Sequence, residues 1–169
     1  MLLQNEAGAL ARVASLFAAR GYNIDSLTVA PTHDAEISRL TMVTTGDDVV
    51  IDQIIKQSRK IVDVIEIADL TSREHLECEL LIVKVGVLPS KIPAVAACVR
   101  RHAGALLLDK SETMRTIQFA GTGARVNDFL SQLSAVASLI EIARSGTAAL
   151  DRGEATLPAA AYSISAAAR

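Results

Sequence analysis

The sequence predicts an α+β fold of two consecutive βαββαβ units, each an antiparallel sheet carrying both helices on one face. Three observations point there. The apolar period switches between two and about 3.6 residues in the same order twice along the chain. A polar break, Thr71-Ser72-Arg73-Glu74-His75, separates the two runs. The closing strands also share similar letters, Val64-Ile65-Glu66-Ile67-Ala68 in the first run and Leu139-Ile140-Glu141-Ile142-Ala143 in the second.

In the first run Met1–Gln4 is a short apolar strand. Leu10, Val13, Ala14 and Phe17 then recur at i, i+3, i+4 and i+7, one face of a helix that Gly21 ends in a left-handed conformation. Tyr22–Pro31 alternates, with Leu27 and Val29 opposite Ser26, Thr28 and Ala30. Pro31-Thr32-His33-Asp34 is a turn into the strand Ile37–Thr45. Gly46-Asp47-Asp48 opens a helix that aligns Ile51, Ile54, Ile55 and Ser58 and ends on Lys56, Arg59 and Lys60, where cations suit the dipole. Ile61–Leu70 closes the unit.

The second run repeats this order. Glu77–Val87 is a strand apolar on both faces. Ser90 is placed to cap a helix carrying Ile92, Val95, Ala96 and Val99, with Pro93 tolerated in its first turn and Gly104 at its end. Ala105–Asp109 and Thr113–Ala120 are strands. Gly121-Thr122-Gly123 leads into a helix with Val126, Phe129, Leu130 and Leu133 aligned, and Ser138–Ala143 is the last strand. The expected domains are residues 1–72 and 76–150, followed by an Ala-rich tail over 151–169. Ala159–Ala161 and Ala166–Ala168 suit a helix, but the tail has no wide apolar face and is expected to be mobile.

Half of the 169 residues are hydrophobic, yet aromatics are only 3% and tryptophan is absent, so the cores must be aliphatic. A net charge of −2 gives no general attraction to nucleic acid or anionic lipid. No apolar run approaches the roughly 20 residues that span a bilayer. The start, Met1-Leu2-Leu3-Gln4-Asn5, lacks a signal peptide's basic and apolar regions. Two cysteines make no disulfide framework. A soluble cytoplasmic protein is expected.

Chemistry concentrates in Asn5-Glu6-Ala7-Gly8-Ala9-Leu10-Ala11-Arg12-Val13 and Arg20-Gly21-Tyr22-Asn23-Ile24. A helix start offers unpaired N–H groups to a carboxylate. Gly8 lets a ligand approach the main chain, and Asn5 or Asn23 can meet an ammonium group. That is a pocket for a small zwitterion. The competing structural roles are a cap for Asn5, close packing for Gly8 and a left-handed turn for Asn23.

Nothing resembles a catalytic constellation. Cys98 and His102 are spaced i, i+4 as a metal pair could be, with His75 and Cys78 upstream, but buried thiols behave as small hydrophobes and no metal site is expected. Gly121-Thr122-Gly123 lacks the later glycine of a dinucleotide fingerprint and the Gly-Lys of a P-loop, so Thr122 is read as a cap. No Gly-x-Ser-x-Gly supports a triad.

The stretches Asn5–Val13, Arg20–Thr32 and Ser38–Thr41, with Ile142-Ala143-Arg144-Ser145-Gly146 further on, strongly resemble the regulatory (small) subunit of acetolactate synthase, or acetohydroxyacid synthase. The resemblance covers roughly residues 1–153 and is looser in the second half. It implies an ACT domain followed by a second ferredoxin-like domain. It implies a non-catalytic chain that binds and activates the thiamine-diphosphate enzyme of branched-chain amino-acid synthesis and confers feedback inhibition by valine. Carried over by residue, the valine site is Asn5, Gly8, Ala9, Leu10, Asn23 and Ile24, with Thr28 and Ala30 nearby on an interface strand. No cofactor is expected in this chain; thiamine diphosphate, Mg and FAD belong on the catalytic partner. Family members usually carry several more residues before this start, so a shortened first strand is expected.

Each unit of about 70–75 residues is near the lower limit for an independent core, and its edge strands need cover. An obligate homodimer is expected, with the Tyr22–Pro31 strand pairing with its copy and the helix-mouth pocket at the interface. The alternative is a stand-alone amino-acid- or metal-responsive regulator on the same fold, disfavoured because no helix-turn-helix or basic arm precedes the sensor unit.

Overall fold

Two sheets of identical strand order organise the protein, described over residues 1–157 in a computed structural model. The first contains β1 (Leu2–Gln4), β2 (Ser26–Pro31), β3 (Ile37–Val43) and β4 (Val64–Glu66), in the order β2-β3-β1-β4. The second contains β5 (His75–Gly86), β6 (Leu106–Lys110), β7 (Met114–Gly121) and β8 (Ser138–Asp151), in the order β6-β7-β5-β8. Helices α1 (Ala9–Ala18) and α2 (Asp48–Ser58) serve the first sheet, α3 (Ile92–Arg101) and α4 (Gly123–Ser134) the second. This is the expected βαββαβ order, twice. The described residues divide into compact units of Met1–Leu76 with 149–157, and of Glu77–Ala148.

In the first unit α1 buries Ala9, Val13 and Phe17, a stripe of i, i+4 steps, against Leu3, Leu40 and Ile54. Leu10, expected in that core, is 41% exposed because it lies to one side of the stripe. Gly21 (φ +67°) ends the helix as expected, while the Tyr22 N–H turns back to the Phe17 carbonyl at 3.0 Å. β2 therefore starts at Ser26, later than the alternation suggested. β4 is shorter than expected, because the Ile61 and Val64 amides bond to Ser58 and Ile61 in turns.

The second core is denser. Leu81, Val83, Val85, Ile117, Phe119, Val126, Phe129 and Leu133 are all fully buried, and the Phe119 and Phe129 rings stack at 4.8 Å. The outward residues of β5 are open, with Leu80 and Ile82 at 39% and 38% exposure, so only one face of this strand is packed. Ser90 does not cap α3: Pro89–Lys91 form a 3-10 turn, and Lys91 stands at the cap position without a side-chain bond. Thr122 and Asp47 do cap α4 and α2, accepting from the Arg125 and Val50 amides at 3.4 and 2.8 Å.

β8 runs well past Ala143, where the sequence pattern stops. Asp151 closes it and Arg152 N–H donates to the Glu74 carbonyl at 3.1 Å, so the expected tail begins with two residues held in place. The Ala159–Ala161 and Ala166–Ala168 segments lie outside the described residues. Among the described residues no helix is long and apolar enough to cross a membrane.

Candidate effector site

The loop from β1 to α1 is shaped by Gly8 and Asn5. Gly8 is the N-cap of α1, with φ +89° and ψ −12°, and no side chain caps the helix. The conformation itself calls for glycine. Of the first-turn amides, Ala9 N–H bonds to the Glu6 carbonyl at 3.2 Å. Those of Leu10 and Ala11 face the helix mouth, where helix geometry supplies no partner.

Asn5 does not cap the helix. Its N–H donates to the Glu36 carbonyl at 2.7 Å, its Nδ2 to the Ala35 carbonyl at 2.8 Å, and its Oδ1 accepts from Ser38 Oγ at 3.0 Å. The side chain thus ties the mouth to the turn before β3. A carbonyl oxygen with one partner keeps a second lone pair for an ammonium group.

Arg12 and Asp63 complete the mouth, and sequence reasoning gave neither a role. Arg12 Nε bonds Asp63 Oδ2, and Nη2 bonds Oδ1 at 2.6 Å. Asp63 is buried, and its backbone carbonyl accepts from Gln4 N–H at 2.8 Å. The guanidinium holds the Asp63 carboxyl below the usual carboxylate range, and the carboxylate raises Arg12 in return. Clamped this way, Arg12 puts Nη1 at 2.9 Å from where a Gly8 Cβ would stand. The available signal was an arginine one helical turn after the glycine, facing the same mouth.

The remaining candidates lie elsewhere in the unit. Asn23 Nδ2 donates to Asp25 Oδ1 at 2.5 Å, and its carbonyl accepts from Thr44 Oγ1 at 2.6 Å, just beyond the end of β3. It carries no left-handed turn, since positive φ occurs only at glycines among the described residues. Ile24 packs partly buried against the first core. Asn5 meets the start of β3 through Ser38, whereas Asn23 and Asp25 meet its end, where Asp25 N–H bonds the Val43 carbonyl at 2.9 Å. Seven strand residues separate these ends by about 20 Å. Within the chain Asn5, Gly8, Ala9 and Leu10 are therefore brought together and Asn23 and Ile24 are left apart.

Thr28 and Ala30 pair across the ladder with Thr41 and Arg39. They share the sheet face opposite Leu27, Leu40 and Met42, which pack into the helix-side core. They are neighbours of the mouth only through the strand.

Of the cysteine and histidine candidates, Cys98 and His102 lie together, with His102 Nδ1 2.9 Å from the Cys98 carbonyl oxygen, while Cys78 is exposed and His75 Nδ1 lies 2.9 Å from the Arg73 carbonyl oxygen. Cys98 is fully buried, which raises its thiol, and the His102 ring lies edge-on to Phe119 and Phe129 at 6.1 and 5.0 Å. Among the described residues no three His, Cys, Asp or Glu side chains gather closely enough to hold a metal.

Comparison with known proteins gives this geometry its context. Residues 1–66 match a family model described as an AHAS small subunit-like ACT domain, and residues 78–153 one described as the small subunit of acetolactate synthase. The chain is 44% identical to the acetolactate synthase isozyme 3 small subunit of Salmonella typhimurium, over 91% of this chain and 94% of that protein. It is 36% identical to a probable acetolactate synthase small subunit of Archaeoglobus fulgidus, over 90% and 94%. The crystal structure of the Thermotoga maritima acetolactate synthase small subunit superposes with a TM-score of 0.78 at 32% identity, covering 92% of this chain and 96% of that one. A small subunit of this kind is a non-catalytic chain and implies a catalytic large subunit as partner. On both halves of its length, this chain belongs to the acetolactate synthase small-subunit family.

Proposed function

We propose that this chain is the valine-sensing regulatory subunit of a cytoplasmic acetolactate synthase, activating the catalytic subunit and imposing feedback inhibition on branched-chain amino-acid synthesis. Thiamine diphosphate, Mg and FAD belong to the catalytic partner in this reading. The observation that supports it is that Asn5 and Asn23 bond to residues at opposite ends of β3, a strand's length apart. β2 is an edge strand, and its later residues Val29, Ala30 and Pro31 are exposed. Antiparallel pairing of β2 with a second copy runs start against end. The partner's Asn23 and Ile24 then pass Pro31 and arrive at the Ala35 turn that Asn5 holds. A homodimer thus assembles two complete sites from halves that neither protomer completes alone.

In that site the ligand carboxylate meets the Leu10 and Ala11 amides and the Arg12 guanidinium. Asn5 Oδ1 and the partner's Asn23 accept from the ammonium group. Ala9, the exposed Leu10 and the partner's Ile24 enclose a small branched side chain. Valine stabilises one arrangement of the dimer, and through it a less active holoenzyme, with a coupling of about 1–3 kcal/mol.

Intersubunit complementation tests the reading. Gly8→Asp puts a carboxylate where the ligand's must sit, and Asn23→Ala removes the opposite wall. Each homodimer should lose valine binding in calorimetry while still activating the catalytic subunit. Mixed dimers of the two variants recover one intact site, because both lesions fall in the other. Failure of the mixture to regain binding would mean that each site lies within one protomer, and full valine sensitivity of Gly8→Asp would remove the pocket altogether.

A further inference from the structure

The sheet face opposite α1 and α2 carries contacts that the effector site does not use. There β3 presents Arg39 and Thr41, the direct cross-strand neighbours of Ala30 and Thr28 on β2. The end of β8 lies on these two side chains. Arg39 Nη2 donates to the Ala149 carbonyl at 3.0 Å, and Ala149 N–H donates to Thr41 Oγ1 at 3.4 Å. Ala149 is 9% exposed. Two residues on, the Asp151 side chain is 7% exposed and pairs with Arg73 Nη1 at 3.7 Å. Arg152 N–H then bonds the Glu74 carbonyl.

This seat is incompletely satisfied. Arg39 Nε is buried without a hydrogen-bond partner. Burial weakens the guanidinium's hold on its proton, and Asp151 opposes that only from a distance. A buried donor left unpaired offsets part of what the neighbouring hydrogen bonds contribute to holding this segment. The element is therefore suited to being shifted by a modest perturbation of β2 or β3. Its origin adds meaning to its position: β8 begins in the second unit, beside β5, and from Ala149 its residues belong to the first.

We propose that Ala149–Arg152 is a strap whose seating on Arg39 and Thr41 reads the position of β2, so that effector capture at the interface strand is passed along β8. The proposal rests on the reading of β2 as the effector-binding interface. In it Arg39 is a positioning residue: it touches no ligand and acts through the strap.

Hydrogen exchange on the full-length chain, with valine calorimetry and holoenzyme inhibition measured in parallel, tests it. Valine should change the exchange rates of the Ala149 and Arg152 amides by about tenfold, within the usual range of allosteric coupling. Arg39→Met should leave those amides exchanging freely with or without valine and weaken inhibition by about tenfold, while calorimetric affinity stays within roughly threefold. Asp151→Asn loosens the same strap from its other end and should behave alike, so a poorly folded Arg39→Met does not decide the matter. Unchanged inhibition in both variants, with valine bound normally and the strap amides free, overturns the strap and leaves the effector site standing. Absence of valine binding to the unaltered chain overturns the effector reading and this inference with it. Loss of valine binding in both variants overturns the positioning role by making the seat part of the binding site.

Discussion

Replacing Gly8 by alanine separates the two reasons for a glycine at the helix mouth. At φ +89° an L side chain sits in the left-handed region, which costs about 1–2 kcal/mol. The added Cβ would also stand 2.9 Å from Arg12 Nη1, and that guanidinium cannot retreat freely because Asp63 holds it through two hydrogen bonds. Gly21→Ala is the matched control: its φ is +67°, and an added Cβ there has nothing within 4 Å. Gly21→Ala should therefore show the backbone penalty alone, roughly 4–16 °C in midpoint for a unit of this size. Gly8→Ala should lose more, and only Gly8→Ala should weaken valine binding. Scanning calorimetry with urea unfolding measures the stabilities, and titration calorimetry the binding. If Gly21→Ala costs under about 0.5 kcal/mol, the conformational reasoning is wrong. If the two variants are equally stable, Arg12 is not held beneath Gly8.

Three further outcomes are expected of the same protein. Phe129→Ala removes a fully buried ring stacked on Phe119 and should cost about 3–5 kcal/mol by urea unfolding. Glu79, 4% exposed, accepts from Arg144 Nε and Nη2 at 2.7 Å each, and that pairing lowers its carboxyl below the ordinary range. A depressed carboxyl contributes stability above its unfolded pKa and loses it as pH falls through the folded value. The gap between wild type and Glu79→Gln should thus be full at neutral pH and close below about pH 4, as unfolding midpoints across pH would record. Ellman's reagent should modify one thiol in the folded chain, the exposed Cys78, and a second only in denaturant, because Cys98 is fully buried.

Most of the fold was legible because the apolar periods are long and the units repeat. The errors fell where local pattern and tertiary contact diverge. Leu10 fits a helical stripe by spacing, but Ala9 takes the buried position and leaves Leu10 at the mouth. Ser90 has the chemistry of a cap, yet Pro89 starts a tighter turn before the helix begins. β8 outruns its apolar letters because backbone pairing and the Arg39 and Thr41 contacts extend it, and neither leaves a periodic trace. At the site, Gly8 and Asn5 were visible as residue types. The Arg12–Asp63 clamp was not, because its partners are 51 positions apart. Nor does linear proximity reveal that Asn23 lies a strand's length from Asn5.

The three hydrogen bonds that Asn5 makes to the segment before and within β3 change how variants at that position should be interpreted. An insensitive enzyme carrying a substitution there would ordinarily be taken to have lost a contact with its inhibitor. Under the proposed function the same phenotype can arise by a second route besides the loss of Asn5 Oδ1 as a ligand contact, because the turn before β3 that Asn5 holds has come untied. Resistance at Asn5 is evidence about architecture first and about recognition second.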